Sequence, residues 1–256
     1  MPASAAFLQL GLPLGLHPVD VTLLSRLFGS RPPLPAAQAQ RLARWRSLSS
    51  PDLRAPLETS RCVVVDVETS GLNPVRDRLI AIGAVAVDGG QISLTDTFEV
   101  ILQQSAPSSY ANILVHGIGG TAQAAGIEPV QALLDFLDFV GAAPLVAFHT
   151  FFDETSIRRA MQQHLGVDFK RPWLDLAYLA PALHPDLAQR LKSLDDWAAQ
   201  FDIGNFARHS ALADAYATAQ LLLVLMNRSK PSTDAPSFAS LLKQEKTQRS
   251  LLRLKE

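Results

Sequence analysis

Between residues 61 and 102 the apolar side chains come in short runs rather than at helical spacing. Residues 62–67 form an almost unbroken valine-rich run, the pattern of a buried strand. A second apolar run, 79–87, is closed by Asp88-Gly89-Gly90, a turn of the hairpin type, and 92–102 then pairs back as a third strand. After that the period turns helical, over 111–118 and 130–140. Residues 145–148 predict a short buried strand that leads into a helix over 153–165, with Gly166 placed to end it. Residues 173–179 fit a strand or a helix start, and 193–201 and 211–226 are amphipathic helices. Three antiparallel strands followed by strand–helix alternation predict an α/β fold, a mixed sheet whose later strands are parallel, with flanking helices.

The flanks differ from this core. Residues 1–60 are rich in Pro and Ala, with helical patterns at 20–28 and 36–48, and read as an N-terminal helical extension. The central block is taken as 61–227. Residues 227–236 have linker composition, and a basic helix is expected over 238–254, so 228–256 reads as linker plus C-terminal helix. The net charge of −1 hides this division: the three blocks carry +3, −8 and +4. An acidic centre between basic ends suits a metal-dependent core flanked by segments able to meet a polyanion or an acidic partner. A hydrophobic content of 48% with 18% charged residues leaves room for one large domain with extensions. The single cysteine, Cys62, excludes an internal disulfide framework, and no apolar run approaches the roughly 20 residues needed to span a bilayer. The expectation is a cytoplasmic protein with no membrane partner.

The chemistry begins in Cys62-Val-Val-Val-Asp66-Val-Glu68-Thr69-Ser70-Gly71-Leu72. Asp66 and Glu68 alternate along a strand and so project from one face. Two such carboxylates repel by about 3 kcal/mol at roughly 5 Å for an effective dielectric of about 20, which suggests a cation between them. Asp153 follows a buried strand and opens a helix, where side chains reach the carboxyl edge of a sheet. Asp214 shares a helix face with Thr218, Leu221 and Leu225, a costly place for an unpaired acid. Pairing with Arg208 or Arg190 is one solution there, and a metal ion is the other. His209 would point about 140° from Asp214 within one helix, so it reaches the same place only from the preceding loop. There it suits a general base.

Taken in series, these stretches resemble the DEDDh 3′–5′ exonucleases, the DnaQ-like group of the ribonuclease-H-like fold that includes DNA polymerase III epsilon-type proofreading subunits. The resemblance rests on Asp66-Val-Glu68-Thr-Ser-Gly-Leu72, on Val146-Ala-Phe-His149-Thr-Phe-Phe-Asp153 and on His209-Ser-Ala-Leu-Ala-Asp214. It also includes Val115-His116-Gly-Ile118. It implies that Asp66, Glu68, Asp153 and Asp214 hold two divalent ions, Mg²⁺ or Mn²⁺. His209, with Asp66 and Glu68, would carry the catalysis, and Thr69, Ser70, Gly71, Leu72, His116 and His149 would touch the substrate. The implied reaction releases nucleoside 5′-monophosphates from single-stranded DNA 3′ ends, as in proofreading, with a polymerase subunit as partner. The same motifs fit an exoribonuclease, and a non-catalytic module that binds nucleic acid or a polymerase is the alternative of a different class. Two departures stand out: Phe148-His149 replaces the family's usual His-Asn, and Gly119-Gly120 follows the His-Gly-Ile element.

Overall fold

A computed structural model of the chain describes residues 33–204, 207–228 and 235–254. The chain divides into two compact units, Met1–Pro35 and Ala36–Glu256, and every element below belongs to the second. The helix expected over 20–28 lies outside the described residues, as does most of the linker. The boundary expected at residue 60 falls inside the second unit.

The sheet has five strands in the order β3-β2-β1-β4-β5, with β1 Arg61–Thr69, β2 Leu79–Asp88, β3 Gln91–Ile101, β4 Leu145–Ala147 and β5 Trp173–Asp175. The first three pair antiparallel, and β4 and β5 join them parallel to β1. This is the mixed sheet the apolar runs imply. β1 is buried throughout except at Arg61, Asp66 and Glu68, and β2 is buried at every position but Asp88. Strands covered on both faces need no polar alternation, which is why their sequences read as continuous apolar runs. Cys62 is 1% exposed, and burial pushes its thiol up to about 12, so it behaves as a packing residue.

Helices cover both faces. In chain order they are α1 Ala36–Arg46, α2 Tyr110–His116, α3 Gly120–Ala124, α4 Pro129–Val140, α5 Thr150–His164, α6 Leu176–Leu183, α7 Leu194–Gln200, α8 Ala211–Arg228 and α9 Phe238–Arg253. α8 lies across β1, β2 and β3, while α4 packs on β3 and α5 on β1. Glu128 caps α4 through the Gln131 N–H, and Pro129 occupies its first turn, where a missing N–H costs nothing. α1 is held to α4 by Arg41, whose guanidinium donates to Asp135 and Asp138 at 2.6 Å each. None of the described helices is long and apolar enough to cross a membrane.

Three features differ from the sequence expectation. Helix α5 begins at Thr150, three residues before Asp153, because a left-handed His149 (φ 69°) ends the strand early. The ambiguous 173–179 stretch is both things in turn: strand β5, then α6, with Asp175 capping the new helix through the Ala177 N–H at 3.0 Å. The five-residue α3 has too few residues to show a period and was not visible in the pattern.

One position decides how the two halves of the sheet meet α8. In the β1–β2 register Gly83 stands opposite Asp66. A Cβ built on Gly83 would overlap the backbone of Ala211 and Leu212 at the start of α8. The absence of a side chain there lets the helix settle on the sheet beside the strand-borne acids. Gly83→Ala is therefore expected to lower stability by about 1–3 kcal/mol, the usual cost of overpacking, or to lift the start of α8. Urea unfolding checks this, and a wild-type midpoint would show that α8 does not rest on this position.

Candidate active site

The site is built where β1 stops being apolar. Cys62 and Val64 point into the core shared with α8, and two more residues along the same face come Asp66 and Glu68. A register shift between Glu68 and Thr69 then takes the chain out of regular pairing. From the other side α8 delivers Asp214, 4% exposed, on its buried stripe with Thr218, Leu221 and Leu225. Carboxylate oxygens of Asp66, Glu68 and Asp214 all lie within 4.8 Å of one another. They line a cleft of about 300 Å³ together with Phe148, His149 and His209.

Asp153 sits in the first turn of α5 and is 4% exposed. It stands outside the set of oxygens within 4.8 Å, although its charge bears directly on Asp66. The turn that aims it is held by Asp175, which accepts from the N–H groups of His149 (3.0 Å) and Thr150 (3.1 Å) and from Thr150 Oγ1 (3.1 Å). Sequence reasoning passed over Asp175, whose one signal was an acid closing an apolar run.

Burial raises the Asp66 carboxyl well above the usual range, and the neighbouring charges of Asp153, Asp214 and Glu68 push the same way while Arg208 opposes them. Glu68 is pushed up to about 8, first by burial and then by Asp214, again against Arg208. Burial also raises Asp153, with Asp175 adding to it and hydrogen bonding to the backbone of Val67 working against it. The cation in this cluster is Arg208, which donates from Nη1 to Asp214 Oδ2 at 2.7 Å and from Nε to Asp195 Oδ1 at 2.6 Å. The pairing of Asp214 with Arg208 that its buried position suggested is thus present.

His209 lies in the loop before α8, exposed and with φ 63°, and its backbone N–H donates to Asp214 Oδ2 at 3.0 Å. That bond fixes the histidine beside the acids from outside the helix. The loop after β1 is close by but inward-bonded. Thr69 Oγ1 donates to the Gly71 carbonyl at 2.5 Å, and Ser70 exchanges two 2.9 Å bonds with the Arg78 backbone. A Cβ on Gly71 would strike the Asp77 carboxylate, so glycine lets that loop close. Leu72 is 93% exposed, unusual for its type and open to contact.

His116 is not brought to the cleft. It is 5% exposed, its Nδ1 accepts from the Ile118 N–H at 3.0 Å, and its Nε2 meets Ser108 Oγ at 3.2 Å. Both ring nitrogens are hydrogen-bonded within the 108–123 segment, which they brace. A larger cavity of about 660 Å³ lies elsewhere, among Leu53, Leu57, Phe139, Pro144 and Phe238. It gathers no comparable set of acids.

The donor set in the cleft is all oxygen. Carboxylates without a cysteine or histidine cluster suit hard divalent ions such as Mg²⁺ or Mn²⁺. The residues fit that group.

Comparison with known proteins agrees with this geometry. DNA polymerase III PolC-type from Thermotoga maritima is 34% identical over 168 residues, which are 66% of this chain and 12% of that protein. The Bacillus subtilis protein of the same name is 35% identical over 172 residues, again 66% of this chain and 12% of its own length. The matches thus span about an eighth of those relatives. Among solved structures, E. coli exonuclease I in complex with a dT13 oligonucleotide superposes with a TM-score of 0.58 at 17% identity, over 66% of this chain and 42% of that one. Exonuclease X in complex with 5′ overhanging duplex DNA gives 0.55 at 21% identity, over 71% and 99%. These structural likenesses establish the open mixed-sheet, ribonuclease-H-like fold. The RNase_T family model, described as an exonuclease, matches residues 63–222, and the chain belongs to that exonuclease family.

Proposed function

We propose that this chain is a two-metal 3′–5′ exonuclease that releases nucleoside 5′-monophosphates from single-stranded DNA ends. The observation that carries the reading is the meeting of Asp66, Glu68 and Asp214 in one cleft with His209 at its rim. Asp66, Glu68 and Asp214, joined by Asp153, would hold the two ions. When bound, such a pair supplies Lewis-acid stabilisation of the scissile phosphodiester and of the oxygens attacking and leaving it. His209 takes the proton of the attacking water at a ring nitrogen, a task for which an imidazole on a pinned backbone is suited. Thr69, Ser70, Gly71 and Leu72 face the terminal nucleotide with backbone groups and an exposed apolar side chain. His149, lining the cleft, contributes a further contact. The PolC-type relatives favour DNA, and proofreading beside a polymerase subunit, as the setting.

Three outcomes are expected. With Mg²⁺ or Mn²⁺, the protein shortens a 5′-labelled single strand of DNA from its 3′ end, and Asp66→Ala reduces this to background. A variant as active as wild type would assign the cleavage to another site. Equal or faster loss of an RNA strand of matched sequence would turn the reading to an exoribonuclease, and Mn²⁺ and strand binding without shortening would leave a non-catalytic module. His209→Ala is expected to lower kcat by roughly 10²–10⁴-fold with KM little changed, measured in the same assay.

The third outcome concerns pH. With Glu68 raised from 4.5 to about 8, the folded chain keeps a proton that the unfolded chain releases. Metal-free stability from this group is therefore full below about pH 4.5 and falls as pH rises towards about 8. Mn²⁺ selects the ionised acids, so its increment in melting temperature grows over the same window. Thermal melts with Mn²⁺ and with EDTA check this, and an increment independent of pH would contradict it.

A further inference from the structure

Asp175 closes β5 at 2% exposure and receives more than the bonds from the His149–Thr150 turn and the Ala177 N–H. Arg249 Nη2, from α9, reaches its Oδ2 at 3.2 Å. The same guanidinium donates from Nε to Glu245 Oε1 at 2.8 Å, pairs with that carboxylate through Nη2 at 2.6 Å, and lies over the Tyr178 ring, 4.3 Å from its centroid. Glu245 is itself 3% exposed. Two buried carboxylates thus face one arginine that is held on three sides. Helix α9 is anchored one end away by Phe238 and Leu241, at 3% and 0% exposure, by the Ser237–Ser240 capping box, and by the Ala239 N–H on the Leu53 carbonyl at 2.8 Å. That docking delivers position 249 onto Asp175.

What Asp175 holds is the turn that aims the site. His149 is left-handed, a conformation that residues with a side chain adopt only when their surroundings impose it. Asp153 follows four positions later, so any shift of the turn moves its carboxylate with it. Removing Arg249 leaves Asp175 and Glu245 without their shared counter-charge in a buried place, which forces one of them to move or to bind a proton. The family match ends at residue 222, so this arginine comes from beyond the matched segment.

We propose that Arg249 is a positioning residue of the active site, acting through Asp175 on the His149–Thr150 turn to set where Asp153 stands. Its consequence for catalysis rests on the exonuclease reading above; its consequence for the turn does not. Helix α9 is then part of the nuclease itself.

The test uses the full chain with Arg249→Met, Arg249→Lys and Leu42→Ala. Hydrogen exchange read on the peptide covering 148–153 is expected to speed up in Arg249→Met and to recover in part in Arg249→Lys, since an ammonium restores the charge but not the fork. Calorimetric titration with Mn²⁺ is expected to show about 10-fold weaker binding in Arg249→Met, with lower kcat and little change in KM. Leu42→Ala, which removes a buried side chain from α1, the helix packed on α4, lowers the melting temperature and keeps Mn²⁺ affinity and kcat at the wild-type level. Unchanged exchange at the turn in Arg249→Met overturns the proposal, as does a loss of Mn²⁺ binding in Leu42→Ala that parallels its melting temperature. A wild-type chain that neither binds Mn²⁺ nor shortens strands defeats the exonuclease reading instead, and the exchange data still decide whether Arg249 holds the turn.

Discussion

The structure is organised around acids that repel one another yet are held together. Asp66, Glu68 and Asp214 converge within 4.8 Å, and no arrangement of their own charges favours that. The force that brings them in is apolar. β1 and β2 bury nearly every side chain, and α8 buries Ala215, Leu221, Leu222 and Leu225 against them. At roughly 25 cal/mol per Å² of apolar surface, packing on that scale outweighs a few kcal/mol of local repulsion. The raised positions of Asp66, Glu68 and Asp153 record the same conflict, because burial and like charge both favour the protonated form.

The fold relieves this strain only in part. Arg208 faces Asp214 but also serves Asp195, and its position at the mouth of the loop keeps it partly open to solvent. A cation favours the ionised form of these carboxylates, the form that burial opposes. Gly83 contributes by subtraction: without a side chain opposite Asp66, the first turn of α8 can approach closely enough for Asp214 to join the strand-borne pair. Function here depends on one residue that is absent as a side chain as much as on those present.

The basic C-terminal segment changes meaning once its helix is seen in place. Phe238, Leu241 and Glu245 are spent within the molecule, and Arg249 is engaged with two buried acids, so part of the positive charge in that segment compensates charge inside the fold. Leu251 and Leu254 remain exposed at its end. The segment's net charge alone therefore says little about a polyanion or a partner.

The sequence by itself determined the mixed sheet and the acids on β1, because period-2 projection and valine-rich runs are local properties that survive without tertiary context. It also placed His209 outside the α8 helix, since five helical steps cannot bring it round to Asp214. Only the tertiary structure decided which polar groups are spent elsewhere. His116 lies in a motif that suggested substrate contact, yet its two nitrogens are used by Ser108 and Ile118. Asp175 and Arg249 are 74 residues apart and carry no shared pattern, yet they meet. Projection and burial are encoded within a few residues, whereas the pairing of buried charge depends on how distant elements pack, and no short window of sequence contains that information.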